Sequence, residues 1–173
     1  MRAGHDENGP SGARRFRVRQ KMISIGDDYW IEDATGRRVY KVDGKAMRIR
    51  DTFVLEDADG RALLKIQQKL ARLRKTMMIE DSDGRTVATV HKARLTPLHD
   101  RWVVDLEHGP GMEVTGDIID HEYTIARDDR QVATVTKRWL RLTDTYTVDV
   151  LTGEDPALVL AVVAVVDHMA HDK

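Results

Sequence analysis

The stretch Asp155-Pro156-Ala157-Leu158-Val159-Leu160-Ala161-Val162-Val163-Ala164-Val165-Val166 decides how this chain folds, because Ala157 to Val166 carry no polar side chain at all. A helix that is apolar on every side must be enclosed by protein or lie in a membrane. As a helix the run rises only about 15 Å, against roughly 30 Å of bilayer hydrocarbon. It therefore predicts a buried central helix and no transmembrane span. Asp155 suits the N-cap, and Pro156 suits the first helical position, where its missing N–H costs nothing. The valines favour a strand on propensity, but that preference is weak and no polar alternation accompanies them. Ala157, Ala161, Ala164 and His168 share one stripe at helical spacing, so one side of the helix can approach its surroundings closely. Burying Leu158, Val159, Leu160, Val162, Val163, Val165 and Val166 contributes on the order of 10–20 kcal/mol gross.

What encloses such a helix is written in an internal repeat. The segments 29–42, 53–66 and 77–90 align with one another, as their turn cores show: Glu32-Asp33-Ala34-Thr35-Gly36-Arg37, Glu56-Asp57-Ala58-Asp59-Gly60-Arg61 and Glu80-Asp81-Ser82-Asp83-Gly84-Arg85, recurring every 24 residues. A fourth, 123–135, has lost the glycine and one turn residue. Aromatic and β-branched residues flank each tight Asp/Gly segment, and glycine supplies the positive φ that closes a turn, so each copy predicts a β-hairpin. Trp102–Leu106 and Met112–Thr115, around Gly109-Pro110-Gly111, continue the rhythm, and Tyr146–Val150 supplies a last strand. Roughly a dozen short antiparallel strands result, with no amphipathic helix between them. A sheet that long is expected to curl and close, which removes its edges. The predicted architecture is a mainly β protein, a closed antiparallel barrel of about twelve strands around a central hydrophobic C-terminal helix.

Composition narrows the function. The chain has 173 residues, one ordinary domain in size, with 28 Lys and Arg against 29 Asp and Glu, so no net charge draws it to nucleic acid. Cysteine is absent, which removes disulfides, thiolate–metal sites and a cysteine nucleophile, and fits a cytoplasmic protein. Residues 1–14 are polar and glycine-containing and are expected to form a disordered tail rather than a secretory signal, leaving 15–173 as the single folded domain. Ser11, Ser24 and Ser82 occur in no nucleophile elbow, and no phosphate-binding glycine loop or dinucleotide fingerprint is present. The Asp57–Gly60 and Asp81–Gly84 runs fail as calcium loops: glycine comes at the fourth place instead of the sixth, and an arginine follows. His168 and His171 could share a helix face without a third ligand beside them, and suit the C-terminal end of the helix dipole better than a metal. The expectation is a non-enzymatic protein with no cofactor and no metal.

The repeated Ile/Leu-Glu-Asp-x-x-Gly-Arg hairpins, the Val-Ala-Thr-Val strands followed by Lys92 and Lys137, and the terminal apolar helix together resemble the LURP-one-related family. That family belongs to a superfamily with Tubby C-terminal domains and phospholipid scramblases, and the resemblance runs from about Phe16 to His168. It implies a twelve-stranded barrel closed around a hydrophobic helix, in agreement with the residues themselves. Tubby-type relatives bind phosphoinositide headgroups through basic residues at the barrel surface. The chain lacks the cysteine-rich and acidic calcium-binding segments that scramblases place near their helix.

Basic residues are the candidate binding groups. Arg14, Arg15, Arg17, Arg19 and Lys21 form one run, interleaved with Phe16, Val18 and Met22 as in a strand with one wet face. Lys45, Arg48 and Arg50 recur 24 residues on as Lys69, Arg72 and Arg74, with Lys75 beside them, and strand alternation would put the paired arginines on one face. Lys137, Arg138 and Arg141 gather around Trp139. The first reading is a binding or scaffold domain that uses Lys45, Arg48, Arg50, Lys69, Arg72, Arg74 and Lys75 for an anionic phospholipid or phosphorylated ligand, peripheral to a membrane, or for a protein partner. The alternatives are a barrel holding a small apolar or amphipathic ligand, and a scramblase-like lipid-exchange protein.

Overall fold

The computed structural model describes residues 12–19, 28–44, 52–69, 74–93, 100–137 and 145–171. Twelve strands follow in chain order: β1 (Ala13–Arg19), β2 (Tyr29–Asp33), β3 (Arg38–Asp43), β4 (Thr52–Asp57), β5 (Ala62–Lys69), β6 (Thr76–Glu80), β7 (Thr86–Lys92), β8 (Asp100–Leu106), β9 (Met112–Asp117), β10 (Glu122–Arg127), β11 (Arg130–Thr136) and β12 (Thr145–Leu151). One helix, α1 (Pro156–His171), follows them. Each strand pairs antiparallel with its neighbours in sequence, and β1 pairs with β12 from Ala13 opposite Leu151 to Arg19 opposite Thr145. That last ladder closes the barrel and leaves no edge strand. β1 starts inside the expected tail: Ala13 and Arg14 are already paired, and Thr152 donates its N–H to the Gly12 carbonyl at 2.7 Å.

The three strict repeats form three nearly identical turns. In each the leading aspartate (Asp33, Asp57 or Asp81) accepts through Oδ1 from two backbone N–H groups, those two and four residues on, at 2.9–3.0 Å. Gly36, Gly60 and Gly84 hold φ of 76–82°, a conformation a Cβ would strain. Hydrogen bonds to Thr35 and to the Arg37 and Thr35 backbone hold the Asp33 carboxyl down to about 2. The fourth copy, with one turn residue fewer, closes through Asp128 and Asp129, both at positive φ, as a two-residue hairpin turn requires. The adjacent Glu-Asp pairs are therefore turn parts: Asp fixes the loop, while Glu56 meets Lys41 at 3.7 Å and Glu80 accepts from Gln67 at 2.8 Å.

Each of these four hairpins also carries a β-bulge just after its turn, with Val39, Leu63, Val87 or Val132 as the extra residue on the returning strand. A bulge bends and twists a strand more strongly than a regular ladder, and four of them help curl the sheet. Inside, alternate residues such as Phe16, Ile31, Leu55, Ile66, Ile79, Val104, Val114, Ile125 and Val148 are fully buried and pack around α1. The helix is buried continuously from Val159 to Met169, and the Asp155 carboxylate accepts the Ala157 N–H at 3.0 Å as its N-cap. No helix among the described residues is long and apolar enough to cross a membrane.

Candidate functional site

Antiparallel topology sorts every connection to one of two barrel ends. At one end lie the hairpin turns 34–37, 58–61, 81–85, 107–111 and 128–129, with the β12–α1 link 152–155. At the other lie the strand ends that bound the longer connections 20–28, 44–51, 70–75, 93–99 and 137–144, together with the short turn 118–121. These are called the turn end and the loop end.

The two sets of connectors differ sharply in sequence. Those of the turn end hold eight Asp and Glu against three Arg, and no Leu, Ile, Val, Met, Phe or Trp. Those of the loop end hold eleven Lys and Arg against five Asp, and they include Ile23, Ile25, Met47, Ile49, Leu70, Leu73 and Trp139. Connector sequences that mix basic and apolar residues have the composition that anionic lipid surfaces attract.

Of the seven candidate basic residues, Lys69, Arg74 and Lys75 are described, and these three lie at this end. Lys69 is the last residue of β5, exposed and opposite Thr76, whereas exposed Arg74 and half-buried Lys75 fall in the β5–β6 connection, outside any strand. Lys45, Arg48 and Arg50, between β3 and β4, and Arg72, between β5 and β6, lie outside the described residues, as do Arg138 and Arg141. The two connections join neighbouring strands, because β3, β4, β5 and β6 are consecutive in the barrel. Lys69 and Arg74 have no carboxylate within 4.0 Å among the described residues. The Arg74 charge also reaches β7: burial, and after it Arg74, holds the His91 imidazole below its ordinary value, against a smaller opposite pull from Asp105. The β1 run behaves differently. Arg15 makes a two-pronged pair with Asp149 at 2.7 and 2.9 Å, and Arg19 lies 3.7 Å from Glu32, so part of this strand's charge is neutralised at the barrel wall. Ile119, in the 118–121 turn, is the exposed large hydrophobic residue of the described chain, at 51%.

Beneath the loop end is a buried polar cluster that sequence reading missed. Asp167, on the last turns of α1, and His121, in the β9–β10 turn, are both completely buried. The Tyr146 hydroxyl donates to Asp167 Oδ2 at 2.5 Å, Tyr123 donates to Oδ1 at 3.4 Å, and His121 Nε2 lies 3.4 Å from Oδ2. The His121 ring stacks on Tyr146 at 4.3 Å, and its backbone φ is 56°, uncommon for a residue with a side chain. Burial, and after it the Asp167 charge, pushes the Tyr29, Tyr123 and Tyr146 hydroxyls up, so these phenols stay protonated, Tyr123 and Tyr146 as donors to Asp167. The cluster draws on β2, β10, β12 and the β9–β10 turn, and it fixes the C-terminal part of the helix in the barrel. Nearby, His168 packs edge-on to Phe53 at 5.8 Å, and His171 Nδ1 lies 2.8 Å from the Asp167 carbonyl, which makes the two C-terminal histidines packing and helix-end partners. Among the described residues no three His, Cys, Asp or Glu side chains are placed to hold a metal.

A closed twelve-stranded barrel filled by its own C-terminal helix defines the class of protein. The family model described as LURP-one-related matches residues 14–167, and the chain belongs to that family. The fold is similar to that in an X-ray structure of an Arabidopsis thaliana protein, with a TM-score of 0.70, 16% identity and 92% of each chain covered. No curated protein matches the chain.

Proposed function

We propose that this barrel is a non-enzymatic binding domain whose loop end docks on anionic phospholipid headgroups at a membrane surface. The supporting observation is the contrast between connector sequences: those bounded by the strand ends of the loop end are basic and apolar, and those of the turn end are acidic and hold no Leu, Ile, Val, Met, Phe or Trp. Each Lys or Arg near an anionic leaflet contributes about 1 kcal/mol, so a cluster of several is needed for stable docking. Lys69, Arg74 and Lys75, with Lys45, Arg48, Arg50 and Arg72 in the connections around them, meet that number. Exposed Ile119 adds an apolar contact at the same end. A closed wall also suits docking: with all strand edges paired and α1 filling the interior, the barrel offers its ends rather than an edge or a lumen.

Vesicle flotation tests the proposal. The protein is expected to float with vesicles rich in phosphatidylserine or phosphoinositide and to stay at the bottom with neutral phosphatidylcholine. Changing Lys69, Arg74 and Lys75 together to Glu should cut binding at least about tenfold, because each substitution replaces an attraction with a repulsion. Equal flotation with neutral and anionic vesicles, or no loss in the triple variant, overturns it.

A further inference from the structure

The turn end carries a second site of opposite character. A half-open groove of about 900 Å³ lies between the β4–β5, β6–β7 and β8–β9 hairpins and the first turn of α1. Its floor is Leu64, Val87, Leu106 and Leu158, all half-buried hydrophobic residues packed against the core. The cause is local. α1 is covered continuously only from Val159 onward, so the barrel mouth stays incompletely filled around Leu158. The volume is that of a pocket for a small organic molecule.

The rim gives the groove its sign. Asp81, Glu107 and Asp155 border it, and none has a Lys, Arg or His nitrogen within 4.0 Å among the described residues. Comparison of the three equivalent hairpins sharpens the point. Arg37 pairs with the leading Asp33 at 3.1 Å and Arg61 approaches the leading Asp57 at 3.9 Å. Arg85, in the hairpin that borders the groove, turns instead to Asp83 at 3.3 Å and leaves Asp81 without its cation. The acid-rich turn connectors surround this mouth; Arg85, held toward Asp83, and His108 are the basic groups on its lining, against the three carboxylates.

We propose that this groove binds a small organic cation with an apolar body, its ammonium head among Asp81, Glu107 and Asp155 and its body on Leu64, Leu106 and Leu158. Apolar contact supplies the affinity, and the carboxylates, which have no cation within 4.0 Å among the described residues, select the charge. The site is at the opposite end from the proposed membrane face and stands independently of it.

The probe is decyltrimethylammonium below its micelle concentration, followed by NMR chemical-shift mapping of the native protein. Decyl sulfate, with the same tail and opposite charge, and tetramethylammonium, with the same head and no tail, are the comparisons. Saturable shifts are expected for the ammonium amphiphile at residues 81–87, 106–108 and 155–158. Each comparison compound should bind there at least about tenfold more weakly. Glu107→Gln combined with Asp81→Asn should weaken binding about fivefold. Asn can still accept the turn hydrogen bonds, and an unchanged melting temperature verifies the fold. Equal affinity for the two amphiphiles at the groove, shifts that avoid it, or undiminished binding in the double variant would each overturn the proposal.

Discussion

Val163→Asp is expected to abolish cooperative folding. Val163 is 1% exposed at the middle of α1, enclosed by barrel wall on every side. An ionised carboxylate there has no water, and the cluster that satisfies Asp167 lies a full turn further along the helix. An unpaired buried charge costs several kcal/mol after relaxation, to which the lost apolar burial of valine is added. The sum is about 5 kcal/mol or more, comparable with the whole stability of a typical domain, about 5–15 kcal/mol. Thermal unfolding by circular dichroism should lose its sigmoid transition or show a midpoint lower by well over about 10 °C. An unchanged transition would mean that α1 is not the core of the barrel.

Asp167→Ala is the second large effect, for the opposite reason: it removes a polar group that the interior depends on. The Tyr146 and Tyr123 hydroxyls would lose their shared acceptor at a site with no solvent, and the His121 ring would lose the carboxylate 3.4 Å from its Nε2. Each stranded buried donor costs about 1–3 kcal/mol, so the substitution should destabilise by about 3–5 kcal/mol. Asp167→Asn keeps an acceptor of the same size and should cost less than half as much. Urea denaturation with all three proteins gives the order native, Asn, Ala in falling midpoint. Equal midpoints for the native protein and Asp167→Ala would place the carboxylate in water and remove the latch on the end of the helix. The general observation that buried ion pairs are poor sources of stability does not weaken this expectation, because the substitution leaves the partners in place.

Much of the fold is legible in the sequence, because its information is local and repeated. Three Asp-x-x-Gly-Arg turns at constant spacing specify three hairpins, and ten apolar residues behind Asp155-Pro156 specify a buried helix. The bulges are harder to read. Val39, Leu63 and Val87 look like ordinary inward strand residues, and only the observed register identifies each as the extra one. The Asp167 cluster is hidden for a different reason. Its members, Tyr29, His121, Tyr123, Tyr146 and Asp167, are scattered over the chain and meet only once the barrel closes. One signal was present: an aspartate immediately after an all-apolar run has to find a partner if the helix is buried. For the basic residues, type and recurrence are legible, while Arg74 and Lys75 fall between strands, where alternation does not assign a face. What places Lys69, Arg74 and Lys75 at one end is topology, which a list of charges does not contain.

The two ends make the binding account directional, and the absence of native cysteine permits a single labelled position at each. Asp120→Cys puts an environment-sensitive fluorophore at the exposed β9–β10 turn of the loop end, and Asp59→Cys puts it at the exposed β4–β5 turn of the opposite end. With phosphatidylserine vesicles containing brominated lipid, the label at position 120 should be strongly quenched and the label at 59 left unchanged. Quenching at position 59 with none at 120, or equal quenching at both, would contradict docking through the loop end.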